Sequence, residues 1–265
     1  MIKNMKIGFI GSGNMATAMI KGILSSKLVE KSDLYISDIN NEQLSCFADL
    51  NTTTDNSFVV ENSDYIFLTV KPQFYDDVLS NITNAAGKIF ITVAPGITTS
   101  YVRGKLGEEV KVIRTMPNTP ALIGEGITAV FYPESLSSSE REFSGRILSS
   151  FSTPFEMDEA LLDPAVSVMG SSPAYAYMFI NAIAKSGKRQ GMDYETALKM
   201  AAGTVIGAAK MLLSSADSPE ILIEKVCSKG GTTIEAVNFL NERDFDIIID
   251  TAMQKCTNRA LELKK

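Results

Sequence analysis

The sequence predicts an α/β fold, a doubly wound and mostly parallel sheet followed by an all-helical second domain, on three observations. Short β-rich runs alternate with helix-like segments through the first half of the chain. A glycine-rich turn directly follows the first of those runs. From about Asp158 the pattern changes to long segments rich in Ala, Met, Leu and Ile, with no strand signal up to Lys265. The expected domains are therefore 1–157 and 158–265.

Taken in order, Lys6 to Ile10, Leu34 to Ser37, Tyr65 to Val70, Ile89 to Val93 and Val110 to Arg114 read as buried strands, because each is a short apolar run between turn signals. Gly126 to Phe131 and Thr153 to Glu156 read as further strands of the same sheet. Between them a helix begins at the serines near Ser137 and carries Glu140 and Glu142 early, where the helix dipole favours acids. In the second half, Gly191-Met192-Asp193 is a helix stop followed by a cap. Ser218-Pro219-Glu220 is a cap with Pro at the first helical position and an acid after it. Tyr194 to Leu213 is apolar on more than one face, so either a subunit contact or a central place among neighbouring helices is expected to bury it.

Composition excludes several classes. Of 265 residues, 45% are hydrophobic and 21% charged, which is the balance of a folded globular chain. A formal charge of −6 leaves no basic face for nucleic acid or an anionic membrane, and a small-molecule ligand is expected. Cys46, Cys227 and Cys256 are scattered without metal or redox spacing, which fits idle thiols in a reducing compartment. Glycines interrupt the lysine-bearing start, Met1 to Gly13, before a signal sequence is complete, and no apolar run reaches spanning length, so a cytoplasmic protein without a membrane partner is expected. The chain has no histidine. That removes the usual general base and the commonest transition-metal ligand, so no metal is expected, and the chemistry falls to a cofactor, hydroxyls, carboxylates, amines or backbone amides.

Gly11-Ser12-Gly13-Asn14-Met15-Ala16 stands between a predicted strand and a predicted helix, the context that makes the G-x-G-x-x-G/A pattern informative. Gly11 permits the tight turn, Gly13 lets backbone approach a pyrophosphate, and Ala16 lets the helix pack closely with its N-terminal amides on the phosphates. The first domain is thus a Rossmann-like dinucleotide-binding unit. Asp38, at the end of the second strand, is placed to accept from adenosine ribose hydroxyls or to cap the next helix. With no Arg or Lys between Lys31 and Lys71, a 2′-phosphate would meet a carboxylate without a positive partner, which favours NADH over NADPH.

Four segments, Gly11-Ser12-Gly13-Asn14-Met15-Ala16, Val70-Lys71-Pro72-Gln73, Met116-Pro117-Asn118-Thr119-Pro120 and Gly230-Gly231-Thr232-Thr233-Ile234, together resemble the Δ1-pyrroline-5-carboxylate reductase family over nearly the whole chain. The resemblance implies NAD(P)H as cofactor, a cyclic imine as substrate, and proline as product of the last step of its biosynthesis. It implies that the cofactor lies along Gly11, Ser12, Gly13, Asn14 and Met15, then Asp38, Asn56, Val70, Lys71 and Pro72, and the Met116, Pro117 and Asn118 loop. The substrate is expected against Ser228, Gly230, Gly231, Thr232 and Thr233, with Glu159 at the entry of the helical domain. Thr233 is expected beside the imine nitrogen as the catalytic hydroxyl. The physics supports the carboxylate cradle, because two glycines and two threonines at a helix start offer converging amides and hydroxyls.

The family's interleaved homodimer is expected, and larger rings of dimers occur within it. Three positions depart from the family pattern: Lys229 where Pro is usual, Ser172 where Gly is usual, and Pro95 before Gly96 where Ala is usual. Two rivals remain open. A β-hydroxyacid dehydrogenase-like enzyme would use a lysine such as Lys185 or Lys188, but would leave Gly230 to Thr233 unexplained. A non-catalytic dinucleotide sensor would keep Gly11 to Ala16 and Asp38 without needing a carboxylate pocket.

Overall fold

The structure, a computed structural model, describes residues 5–265, so the Met1–Asn4 part of the leading segment lies outside the described residues. The chain divides into two compact units: the residues up to Ser171 together with Cys256–Lys265, and Ser172–Lys255.

The first unit is built on an eight-stranded sheet in the order β3-β2-β1-β4-β5-β6-β7-β8. The strands are β1 Ile7–Ile10, β2 Leu34–Ser37, β3 Asn51–Thr53, β4 Tyr65–Leu68, β5 Ile89–Thr92, β6 Lys111–Pro117, β7 Gly126–Phe131 and β8 Ser152–Glu156. Six run parallel from β3 to β6; β7 pairs antiparallel with β6, and β8 runs parallel to β7. β1 and β4 are in register from Ile7 opposite Tyr65 to Ile10 opposite Leu68, and every residue of both is buried except that Gly8 carries no side chain to pack. Such continuous apolar runs are what a strand covered on both faces requires.

Both faces are covered. One core gathers Phe9, Met19, Ile20, Ile23, Ile36, Phe67 and Ile147, with the Phe9 and Phe67 rings stacked at 4.7 Å. The other gathers Ile10, Val59, Ile66, Leu68, Tyr75, Phe90 and Val112. Helix α1 (Asn14–Ser25) follows β1 and buries Ala16, Ala18, Met19, Ile20 and Ile23 on one face. The helices α2 (Asn41–Ser45), α3 (Asn56–Glu61), α4 (Tyr75–Ser80) and α5 (Thr99–Leu106) connect the parallel strands. Helix α6 (Ser138–Ser149) starts in a full capping box between Ser137 and Glu140, as the serine cluster and early acid predict.

Two readings need correction. β3 has no counterpart among the expected strands: Asn51-Thr52-Thr53 is polar, lies at the sheet edge, and presents no buried alternation to a sequence pattern. β6 continues through Met116 and Pro117, which were expected in a loop; Pro117 ends the strand, where a missing N–H costs no ladder bond. Division by compactness is a different measure from the change of sequence pattern near 157. The turn Glu159–Leu161, the short α7 (Leu162–Ala165) and the π-helical turn Val166–Gly170 count with the sheet, as does Cys256–Lys265. Two short contacts tie those segments together: Thr257 Oγ1 donates to Ser167 Oγ at 3.1 Å, and Ser171 Oγ meets Cys256 Sγ at 3.2 Å.

The second unit holds α8 (Ser172–Arg189), α9 (Tyr194–Ser214), α10 (Pro219–Val226), α11 (Thr232–Glu242) and most of α12 (Phe245–Glu262). α8 and α9 form a hairpin around the positive φ of Gly191, with Asp193 capping α9 through Thr196 and Tyr194 Oη donating to Asn181 Oδ1 at 3.0 Å. Ser218 caps α10 with Pro219 at its first position, as expected. The hydrophobic residues buried in this unit are Ala184, Ala197 and Ala201, while Met178, Met200, Ile206, Met211, Leu213, Phe239 and Ile248 are exposed. A central α9 wrapped by neighbours of its own chain is therefore not what forms. α9 also meets the length and hydropathy of a membrane-crossing helix, contrary to the expectation that no segment would. The reason is that Lys199 and Lys210 interrupt the run without lowering its average enough.

Candidate active site

The glycine loop after β1 is held by its neighbours before any ligand is considered. Gly11 donates to Ser37 O at 2.8 Å, and Thr69 Oγ1 donates to Ile10 O at 3.0 Å and Gly11 O at 2.6 Å. Gly11 has φ +99°, and a Cβ there would come within 3.0 Å of the Thr69 carbonyl and of Val70 Cγ1, so the turn admits only glycine. Gly13 is different. It caps α1 in an extended conformation open to any residue, and a Cβ there would meet nothing within 4 Å. The fold leaves space beside Gly13, at the start of a helix whose N-cap makes no side-chain hydrogen bond and whose first turn carries no acid. Uncapped amides and an open approach suit a pyrophosphate.

Beside this loop lies a cavity of about 590 Å³, lined at one end by Gly11 and Gly13 and elsewhere by Asp38, Asn40, Asn56, Val70 and Lys71, among others. Ser12 donates to Asp38 Oδ2 through its amide at 2.7 Å and its hydroxyl at 2.8 Å, and Asn40 N–H donates to Asp38 Oδ1 at 2.9 Å. Asp38 thus braces the glycine loop as well as facing the cavity. A carboxylate has roughly four acceptor positions, so one remains for a ribose hydroxyl. Ser37 Oγ donates to Asn56 Oδ1 at 2.7 Å, which leaves the Asn56 amino group for a ligand. Lys71 is exposed at the start of the Pro72–Phe74 turn. The fold brings this lysine to the same cavity as Asp38, so a positive charge borders that cavity although the intervening sequence holds none.

At the end of β6, Met116 and Asn118 are buried. Asn118 Oδ1 accepts from Ile127 N–H at 2.9 Å, and its Nδ2 donates to Met169 O at 3.0 Å, so its side chain holds the end of β6 to β7 and to the π-helical turn. Arg114 and Asp163 are ion-paired with both side chains fully buried, and Lys264 Nζ approaches Asp163 Oδ2 at 3.6 Å. Glu159 is committed to α5: its oxygens accept from Thr99 N–H at 2.8 Å and Thr99 Oγ1 at 2.9 Å.

In the helical unit, Gly231 is the N-cap of α11, again without a side-chain cap bond, and its N–H donates to Ser228 O at 2.9 Å. A Cβ on Gly231 would fall 2.3 Å from Ser228 Oγ. Thr232 and Thr233 open the helix, Thr232 exposed and Thr233 half-buried. This loop has the free amides and paired hydroxyls that a carboxylate needs. Lys229 stands exposed within it.

Of the cofactor candidates, Gly11, Gly13, Asp38, Asn56, Val70 and Lys71 line one cavity; Ser12 joins it through Asp38, and Asn14, Met15 and Pro72 are not in its lining. The substrate candidates Ser228 to Thr233 form a second group on the other unit. Sequence reasoning missed Thr69, whose hydroxyl locks the glycine turn; its place just after the strand that pairs with β1 was the available signal. Gln43 and Phe74, which also line the cavity, carry no such signal. Among the described residues no group of three or more His, Cys, Asp and Glu could hold a metal.

A mostly parallel sheet with an uncapped glycine-loop helix, an acid after β2 and a cavity beside both is the arrangement of an NAD(P)-dependent oxidoreductase. Residues 6–96 match a family described as coenzyme F420-dependent NADP oxidoreductase, and residues 159–263 match the pyrroline-5-carboxylate reductase dimerisation family. Over 98% of both chains the protein is 37% identical to a pyrroline-5-carboxylate reductase of Escherichia coli (strain K12), and over all of this chain and 98% of the relative it is 34% identical to that of Aquifex aeolicus. A crystal structure of pyrroline carboxylate reductase from Plasmodium falciparum with NADP bound superimposes with a TM-score of 0.91 at 26% identity, covering all of both chains. The chain belongs to the pyrroline-5-carboxylate reductase family.

Proposed function

We propose that this protein reduces 1-pyrroline-5-carboxylate to proline with a reduced nicotinamide dinucleotide. The observation that carries the reading is the conjunction, in one chain matching the curated reductases end to end, of an open phosphate cradle at Gly13 and an uncapped, hydroxyl-rich helix start at Gly231 to Thr233. Bound NAD(P)H supplies the hydride, delivered to the imine carbon. The chain's own task is to hold two molecules at reacting distance and exclude water, which needs no histidine.

Gly11 to Met15 bind the pyrophosphate; Asp38, Asn56, Val70, Lys71 and Pro72 border the adenosine; Met116 to Asn118 border the nicotinamide. Ser228, Gly230, Gly231 and Thr232 hold the substrate carboxylate, and the Thr233 hydroxyl orients the imine nitrogen and passes it a proton from water. Glu159 acts through Thr99, on the helix that follows β5. NADH is the preferred cofactor, because Asp38 offers its remaining acceptor position to a 2′-hydroxyl and repels a 2′-phosphate; Lys71 is the group that would oppose this preference. The working assembly is a cytoplasmic homodimer, whose subunit contact covers the apolar faces of α8 and α9, and any ring is built from such dimers.

The test is initial-rate oxidation of NADH and of NADPH, separately, by purified protein with 1-pyrroline-5-carboxylate while proline is measured. Proline formation with NADH favoured is the expected result. Proline formation with NADPH favoured would overturn the ribose argument alone, and absence of proline with either would overturn the reaction.

A further inference from the structure

We infer that Lys265 is a positioning residue for the nicotinamide half of the dinucleotide site, acting through the loop that follows β5. The inference rests on the cofactor placement proposed above. That placement puts adenosine in the cavity beside Asp38 and Lys71, so the other half of an extended dinucleotide crosses the carboxyl ends of β4, β5 and β6. The loop Val93–Thr98 leaves β5 on that side.

This loop has no ladder or helix of its own, yet Gly96 to Thr98 are buried: Ile97 packs into the core with Tyr75, Phe90 and Val102, while the segment Leu263–Lys265 lies against Gly96 and Thr98. Lys265 N–H donates to Gly96 O at 2.7 Å, and Thr98 Oγ1 donates to Lys265 O at 2.8 Å. The two bonds clasp the loop around its turn. Gly96 has φ +75°, and a Cβ on it would fall 2.6 Å from Leu263 O, so the close approach of the two backbones depends on glycine at this position. The Lys265 side chain fixes the clasp to two helices: Nζ reaches Asp76 Oδ2 on α4 at 2.8 Å and lies 5.6 Å from the Tyr101 ring centroid on α5. Glu159 grips the next residue, Thr99, through two hydrogen bonds.

All these contacts lie within the sheet unit, and the residues they join are not in the glycine loop or the Asp38 cavity lining; only the Nζ–Asp76 bond adjoins it, through Asp77 and Val78 of α4. A loosened backbone clasp at Gly96 and Thr98 therefore spares the adenosine half and blurs the position of the backbone against which the nicotinamide is set. Misplacement of about 1 Å at a reacting centre costs on the order of a hundredfold in rate, so partial loosening is expected to cost roughly tenfold.

The experiment compares wild type, a chain lacking Lys265, the Lys265→Ala variant that keeps the backbone clasp, and Gly96→Ala, which pushes the clasp away. ADP-ribose and NADH affinities are measured by calorimetry and nicotinamide fluorescence, and kcat with 1-pyrroline-5-carboxylate. Loss of Lys265 and Gly96→Ala are expected to weaken NADH and lower kcat by roughly tenfold, with ADP-ribose affinity within about twofold of wild type and Lys265→Ala showing a smaller effect. Equal weakening of ADP-ribose and NADH, or no change in either NADH affinity or kcat, overturns the inference. The binding comparison stands apart from the reaction: a wild type that made no proline would overturn the proposed activity, while the NADH and ADP-ribose split would still decide the role of Lys265.

Discussion

Ser12 gives both its backbone N–H and its hydroxyl to one oxygen of Asp38, at 2.7 and 2.8 Å, joining the glycine loop to the end of the second strand. The residue proposed to read the ribose thus also braces the glycine loop. Asp38→Asn is expected to lower the ratio of kcat/KM for NADH over NADPH by roughly tenfold or more, since a charge-assisted bond to a hydroxyl is lost and the repulsion of a phosphate removed. Ser12→Ala should raise KM for both cofactors together. An unchanged ratio in Asp38→Asn would dismiss Asp38 as the selector.

Gly13 provides a contrasting case, because no protein atom lies near where its side chain would be. Gly13→Ala is expected to cost no more than about 1 kcal/mol of stability, the usual range for changing a helix N-cap. Dinucleotide affinity should fall more than roughly tenfold as the methyl group enters the space for the pyrophosphate. Equal affinity in wild type and variant would remove the phosphate from this position.

The Arg114–Asp163 pair is wholly buried, and the Nε of Arg114 has no hydrogen-bond partner. Arg114→Met alone leaves the buried Asp163 carboxylate with only Lys264, 3.6 Å away, and is expected to destabilise the chain by roughly 3 kcal/mol, the low end for breaking a buried pair; Arg114→Met with Asp163→Leu should be less damaging than either single change. Urea unfolding of the four proteins checks this, and additive losses would contradict a coupled pair.

The ammonium groups of Lys105 and Lys265 each lie 2.8 Å from the Asp76 carboxylate, Lys105 first and Lys265 second in effect, and hold its carboxyl below the usual range. A depressed folded-state value means the stabilisation is complete above the unfolded carboxylate value, near 4, and is lost as pH falls through the folded one. The melting-temperature difference between wild type and Asp76→Asn should therefore be constant from about pH 5 to 8 and shrink below about pH 4. A difference that grew on acidification would contradict the assignment.

The helical unit buries three alanines and exposes a face of Met, Ile, Leu and Phe, so its packing is completed by association. Melting temperature should rise with protein concentration, as it does when folding and assembly are linked. A midpoint independent of concentration over two decades would show that the unit is stable alone.

Seven of the eight strands and the glycine turn were legible because buried parallel strands must be apolar throughout and a phosphate loop must carry glycine at fixed spacing. Asn51–Thr53 was not, since a polar edge strand is defined by its neighbour's free hydrogen bonds and not by its own residues. Within the site, motif residues such as Gly13 and Asp38 announced themselves. The commitment of Glu159 to Thr99 and of Asn118 to Met169 did not, because each joins segments dozens of residues apart and shows only in three dimensions. Lys71 illustrates the same limit: its distance from Asp38 along the chain concealed that both border one cavity.

Because Cys256–Lys265 belongs to the same compact unit as the sheet, the segment Ser172–Lys255 is topologically an insertion into the nucleotide-binding unit. On a ribosome, the sheet can assemble early, but the loop after β5 waits unclasped until the whole helical insert has been made. The order of synthesis thereby ties closure of the loop after β5 to completion of the helical insert, and a prematurely terminated chain would carry the glycine loop and the Asp38 cavity without the Leu263–Lys265 clasp.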